Sequence, residues 1–187
     1  MELMKRMDES PRFKARMAGV FWLLCAVTGS LALVFSGGLA IAVNHVATAS
    51  YVVATLLVYS LLKPVNKNLS LLAAVFSLIG CTIGTLDAFL PFRAPIIPTL
   101  FFGLHCFLVG VLILKSTFLP RFVGALMVLA GLGWLTRALA TLLTLPIASG
   151  AFPYLMGTGV LGEMTLTVWL LVKGVNEQRW KEQALTR

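Results

Sequence analysis

Apolar residues run along this chain in six long blocks instead of alternating with polar ones. The blocks cover residues 17–36, 39–62, 69–92, 96–114, 122–145 and 152–172. Each is close to the roughly 20 residues an α-helix needs to cross the hydrocarbon core of a bilayer. A membrane barrel would instead read as alternating strands of about ten residues. Gly37-Gly38, the stretch from Lys63 to Asn68, Arg93-Ala94-Pro95, the stretch from Lys115 to Arg121, and that from Pro146 to Pro153 separate the blocks. Proline lacks an amide donor and glycine carries excess backbone freedom, so both end helices. The first break is so short that the helices should end inside their apolar blocks, with a turn near Ser36–Ala40. One helix running through both blocks would need about 45 residues, too long for a span. The pattern predicts an all-α polytopic membrane protein: a six-transmembrane-helix bundle forming a single domain over residues 1–187.

Composition agrees. Hydrophobic residues make up 59% of the 187 and charged residues 12%, with a mean hydropathy of +0.94. Soluble domains are about 45–50% apolar and about 25% charged, which excludes most soluble enzymes, disordered chains and disulfide-stapled secreted scaffolds. Thirteen of the fifteen basic residues fall at the N-terminus, between blocks two and three, between blocks four and five, or after block six. Of the other two, Arg93 lies in an outer break and Arg137 within block five. The positive-inside rule predicts that both termini are cytoplasmic, and the expected location is the inner (plasma) membrane, crossed several times. The formal charge of +8 is spread over every cytoplasmic edge, so anionic lipid, and not nucleic acid, is its expected counterpart. Residues 1–16 mix charge with Met4, Met7 and Phe13 and read as an interfacial helix; residues 173–187 read as a cytoplasmic tail. No small-residue cleavage site clearly follows the first block, so no signal peptide is expected.

Chemistry has few carriers. Cys25, Cys81 and Cys106 all fall within blocks, without metal-ligand spacing, and the phosphate-binding, dinucleotide and hydrolase motifs are missing. No metal, cofactor or catalytic residue is therefore expected. What stands out is His45, Asp87, His105, Arg137 and Glu163, ionisable groups set in apolar blocks. Such groups cost about 2.5–3.5 kcal/mol on insertion scales and turn toward the bundle interior. Counting along the helices puts Glu163 and His105 near mid-membrane and the other three in the outer third. Ala73, Ser77, Gly80, Gly84 and Asp87 share one helical face, as do Ala130, Gly133, Arg137, Ala140 and Thr144, and also Gly159, Glu163 and Thr167. Small residues let membrane helices approach closely, so these faces should point inward. An Asp87–Arg137 ion pair and a His105–Glu163 hydrogen bond are the expected pairings, as helix-fixing contacts or as parts of a binding site. A haem between His45 and His105 is disfavoured by their different depths.

The segment from Leu61 to Leu69, LLKPVNKNL, resembles the second-to-third helix loop of the DUF4386 family of bacterial integral membrane proteins. Phe101-Phe102-Gly103-Leu104-His105, followed by Phe118-Leu119-Pro120-Arg121, is similar to that family's most distinctive stretch. Gly162-Glu163 and the run from Trp169 to Val175 resemble its last helix. The resemblance implies six membrane helices and marks His105 and Glu163 as motif positions, while implying no activity. The chain departs from the family in its short first outer break and in Arg137, where relatives often carry an acidic residue.

The expected function is binding of a proton, ion or small amphipathic ligand in a polar pocket in the outer half of the bundle. His105 and Glu163 would form its core, with Asp87 and Arg137 at its rim and His45 nearby. The alternative is a non-catalytic subunit or assembly partner of a membrane complex or homo-oligomer, contacting neighbours through Phe21, Trp22, Phe101, Phe102 and Trp169. An intramembrane enzyme acting on lipid or quinone has only the His–Glu pairing behind it.

Overall fold

The computed structural model describes residues 10–87, 96–145 and 152–186. These residues form seven helices: α1 (Pro11–Val34), α2 (Gly37–Leu62), α3 (Lys67–Asp87), α4 (Ile96–Lys115), α5 (Arg121–Leu142), α6 (Phe152–Val172) and α7 (Glu177–Leu185). The first six are long and apolar enough to cross a membrane. The chain is a membrane-spanning helical bundle.

Consecutive helices are neighbours, and α1 also packs on α6, so α1 to α6 close a ring in sequence order. Its outside is leucine and valine, including Leu23, Val27, Leu129, Leu132, Leu139, Leu161 and Val168. Its inside holds small or polar side chains such as Ala18, Ala54, Ala73, Ser77, Cys106 and Thr167. This is how membrane helices associate, through close approach and internal hydrogen bonds. Helices α4 and α5 approach closely. A Cβ on Gly131 would lie 2.5 Å from the Phe107 amide nitrogen, and one on Gly110 2.5 Å from that of Val128. Between α2 and α3, the Thr55 and Ser77 hydroxyls bond at 2.7 Å.

The helix ends differ from the apolar blocks in three places. Helix α1 starts at Pro11, not near 17, because Ser10 caps it: its Oγ accepts from the Phe13 amide at 3.2 Å. Part of the expected interfacial segment is thus the first turns of a span, and residues 1–9 lie outside the described residues. The α1–α2 turn is Phe35 and Ser36 alone, tighter than expected, and α2 opens on Gly37 at φ +63°. Glycine takes that left-handed conformation without the Cβ clash other residues meet. Helix α5 ends at Leu142, followed by Thr144 at φ +52°. The breaks at Arg93-Ala94-Pro95 and most of that from Pro146 to Pro153 lie outside the described residues.

The last difference is α7. It is capped by Asn176, whose Oδ1 accepts from the Arg179 amide at 3.1 Å, and opens with Glu177. It docks across the ring end that carries both termini. The Trp180 indole N–H donates to the Leu61 carbonyl at 2.8 Å, filling an acceptor that the end of α2 leaves open. Gln183 Oε1 accepts from both the amide and the hydroxyl of Thr117, each at 3.0 Å. Ser10 Oγ donates to Glu177 Oε1 at 2.7 Å, tying the start of α1 to α7.

Candidate functional site

Glu163 projects from α6 into the ring. Both carboxylate oxygens accept indole N–H groups: Oε1 from Trp134 of α5 at 2.8 Å and Oε2 from Trp22 of α1 at 3.3 Å. Glu163 therefore touches side chains from two other helices, α1 and α5. The sequence places them there economically. Gly159, one turn before Glu163, lies directly under the Trp134 indole, and a Cβ at that position would collide with the ring. Thr167, one turn after, turns its hydroxyl back to the Glu163 carbonyl at 2.7 Å and so leaves the carboxylate to the tryptophans.

A cavity of about 340 Å³ adjoins this carboxylate, in the half of the ring remote from the termini. Glu163, Trp134, Tyr51 and Phe102 line it, with Cys25, Cys81, Asn44, Thr48 and Thr99. Arg137 also lines it, and its guanidinium carbon stands 5.8 Å from the centre of the Trp134 ring. Trp134 thus presents its face to a cation and its N–H to an anion. Cation–π contacts are strengthened where water is scarce. Tyr51 packs edge-on against Trp22 (5.7 Å) and Phe102 (5.2 Å), which stiffens the wall.

The expected His105–Glu163 hydrogen bond is not made. His105 is 1% exposed, and its Nδ1 donates to the Ala73 carbonyl of α3 at 2.9 Å. Its Nε2 has no hydrogen-bond partner among the described residues. The ring lies 6.2 Å from Trp22 and 5.9 Å from Tyr51, centre to centre, so it stands behind the aromatic wall, not in it. A neutral imidazole has one N–H, and His105 gives it to the Ala73 carbonyl, so the indole N–H groups of Trp22 and Trp134 are the donors that meet the carboxylate. His45 is half-buried near the start of α2, and its Nδ1 donates to the Ile41 carbonyl of its own helix at 2.6 Å. The Asp87 side chain, and with it the pairing to Arg137, lies outside the described residues. Among the described residues no group of three or more His, Cys, Asp or Glu side chains converges as a metal site would require.

Sequence reasoning missed Trp134 and Tyr51 and misplaced Trp22. Trp22 is 2% exposed and bonded to Glu163, and Phe102 packs on Tyr51, so two of the five aromatics assigned to a lateral face turn inward. Trp169 packs on Phe122 at 5.4 Å. A signal for Trp134 existed: Gly159 and Glu163 one turn apart leave a notch that a large side chain must fill.

Comparison with known proteins places this architecture. A family described as a domain of unknown function, DUF4386, matches residues 90–174, which contain Arg137, Trp134, His105 and Glu163. An uncharacterized protein of Archaeoglobus fulgidus is 32% identical over 124 residues, covering 62% of this chain and 72% of the relative. The chain belongs to the DUF4386 family. The matched region of this family holds α4, α5 and α6, and hence the Glu163 carboxylate with one of its two indole donors. The other donor, Trp22, comes from α1, outside that region. No solved structure matches the chain.

Proposed function

We propose that this protein binds a small amphipathic ligand in its central cavity, with Glu163 and Arg137 meeting the ligand's polar end. The observation that carries the reading is that one cavity is lined by both a carboxylate and a guanidinium while Tyr51, Phe102 and Trp134 supply apolar wall. Small-molecule sites combine an apolar lining with a few fixed polar groups and run from about 300 to 1,000 Å³. A cavity of 340 Å³ lies at the small end of that range, which favours a compact ligand. A proton or metal cation at Glu163 is the limiting case of the same site. His105 supports it from behind by packing on Trp22 and Tyr51.

The reading includes a plasma-membrane location with cytoplasmic termini. Its support is that Arg12, Lys14, Arg16, Lys63, Lys67, Lys115, Arg121 and Lys173 gather at the end of the ring where α1 begins and α6 ends. The cavity then belongs to the outer half.

Native mass spectrometry of protein released from mild detergent tests the ligand. Wild type should carry a small-molecule adduct that Glu163→Gln loses at unchanged folded yield. Equal adducts in both proteins, or none in wild type, would overturn the reading.

A further inference from the structure

The LLKPVNKNL segment has no part in the central cavity, yet it builds a second one. At the end of the ring that carries the termini, a cavity of about 490 Å³ is lined by Lys14, Lys63, Lys67, Tyr59, Ser60 and Trp180, with Pro64 and Ala184 at its edge. Three lysines come from three places: the first turns of α1, the end of α2 and the start of α3. Among the described residues, no carboxylate lines it.

The turn that presents these lysines is fixed. Val65 is buried, and its amide donates to the Leu62 carbonyl at 2.9 Å. Asn66 Oδ1 accepts from the Leu69 amide at 3.0 Å, capping α3, and Ser70 Oγ donates to the Tyr59 carbonyl at 3.1 Å. Lys63 and Lys67 are therefore held on either side of one rigid turn. On the far side, the Trp180 bond to Leu61 holds α7 in place as a wall. Collecting three like charges in one recess is unfavourable unless an anion joins them. The recess sits where spans end, flanked by a tyrosine and a tryptophan, which are the residues that settle at the headgroup level of a bilayer. Basic pockets at helix ends suit phosphate-bearing headgroups.

We propose that this recess is a binding site for the phosphate headgroup of an anionic phospholipid, read by Lys14, Lys63 and Lys67 against Trp180 and Tyr59. The inference is independent of the central cavity and of Glu163.

The test uses the full chain, purified in mild detergent and stripped of lipid, with binding read by native mass spectrometry. The probes are phosphatidylglycerol, phosphatidylcholine and inorganic phosphate. Phosphatidylglycerol should bind at least tenfold better than phosphatidylcholine. A lysine near an anionic surface contributes about 1 kcal/mol, or about fivefold in affinity. Lys63→Gln with Lys67→Gln should thus weaken phosphatidylglycerol binding by about thirtyfold. The control pair Lys115→Gln with Arg121→Gln removes the same charge outside the recess and should change it less than about threefold. The exposed single variant Lys67→Gln, which touches no packing, should lose about fivefold. Equal losses in both double variants would mean undirected charge attraction and overturn the site. So would equal binding of the two lipids. Displacement of bound lipid by millimolar phosphate would reassign the recess to a soluble anion and overturn the lipid.

Discussion

Trp134 donates its indole N–H to Glu163 at 2.8 Å, joining α5 to α6 at the centre of a closed helical ring. Trp22 does the same from α1 over a longer 3.3 Å. A carboxylate inside a membrane bundle is thereby held by two side chains that composition counts as hydrophobic. A hydrogen bond to a charged group contributes about 1.5–3 kcal/mol, more when its loss strands a buried acceptor. Trp134→Phe keeps the ring and removes the donor. It should lower unfolding stability in mixed micelles by about 2 kcal/mol, while Trp22→Phe should cost about half as much. Negligible losses in both variants would show that neither bond positions the carboxylate, and equal losses would show that the longer Trp22 bond counts as much as the shorter one.

His105 makes one hydrogen bond, to the Ala73 carbonyl, and packs its ring against Trp22 and Tyr51. Phenylalanine can fill much of that space. His105→Phe should therefore fold and insert normally, with a loss of about 1–2 kcal/mol. His105→Ala should lose about 3 kcal/mol because it opens a void as well. Chemical unfolding of the two variants side by side checks this. A Phe variant no better than Ala would mean that the imidazole's polarity holds the fold.

The glycines divide by what surrounds them. Gly131→Val would drive its side chain into the Phe107 backbone and separate α4 from α5, at a cost of about 3 kcal/mol or more. Gly157 meets nothing within 4 Å, so Gly157→Ala should change stability by less than about 0.5 kcal/mol. Gly159→Ala, which leaves the Glu163 side chain unchanged, should displace the Trp134 indole. The expected readout is a red-shifted tryptophan emission that Trp134→Phe abolishes.

Helix α7 is held by polar contacts with little buried core of its own, since no residue in it is buried. Trp180→Ala removes the bond to Leu61 and should raise the open population of α7 by about tenfold. Limited trypsin cleavage at Arg179 and Lys181 should accelerate by a similar factor. Unchanged cleavage would place the latch at Gln183 and Thr117 instead.

The six spans were legible because a membrane helix announces itself by apolar length alone. The true start of α1 was also written in the chain, as serine followed by proline at 10 and 11. The apolar count passed over it because polar Arg12, Lys14 and Arg16 occupy those first turns. Helix α7 was hidden for the opposite reason: it is short and charged, and only Asn176, Glu177 and Trp180 hinted at a capped, docked element. At the site, Glu163 stood out as a charge in an apolar block. Its partners did not, because which donor meets it depends on how six helices are ordered around a ring. One-dimensional spacing relates residues on the same helix and is silent between helices. His105 was the obvious polar candidate, and the donors proved to be indoles.

The ring closes in chain order, and α6 is the last of its members to be synthesised. Until that helix enters the membrane, α1 and α5 face an open seam and the Trp22 and Trp134 N–H groups have no carboxylate to meet. Glu163 must therefore arrive on the final span, where two waiting donors lower the cost of bringing a carboxylate into lipid. The late position of this acidic residue makes insertion order part of how the bundle is assembled: a chain that stalled after α5 would be left with a gap in its wall.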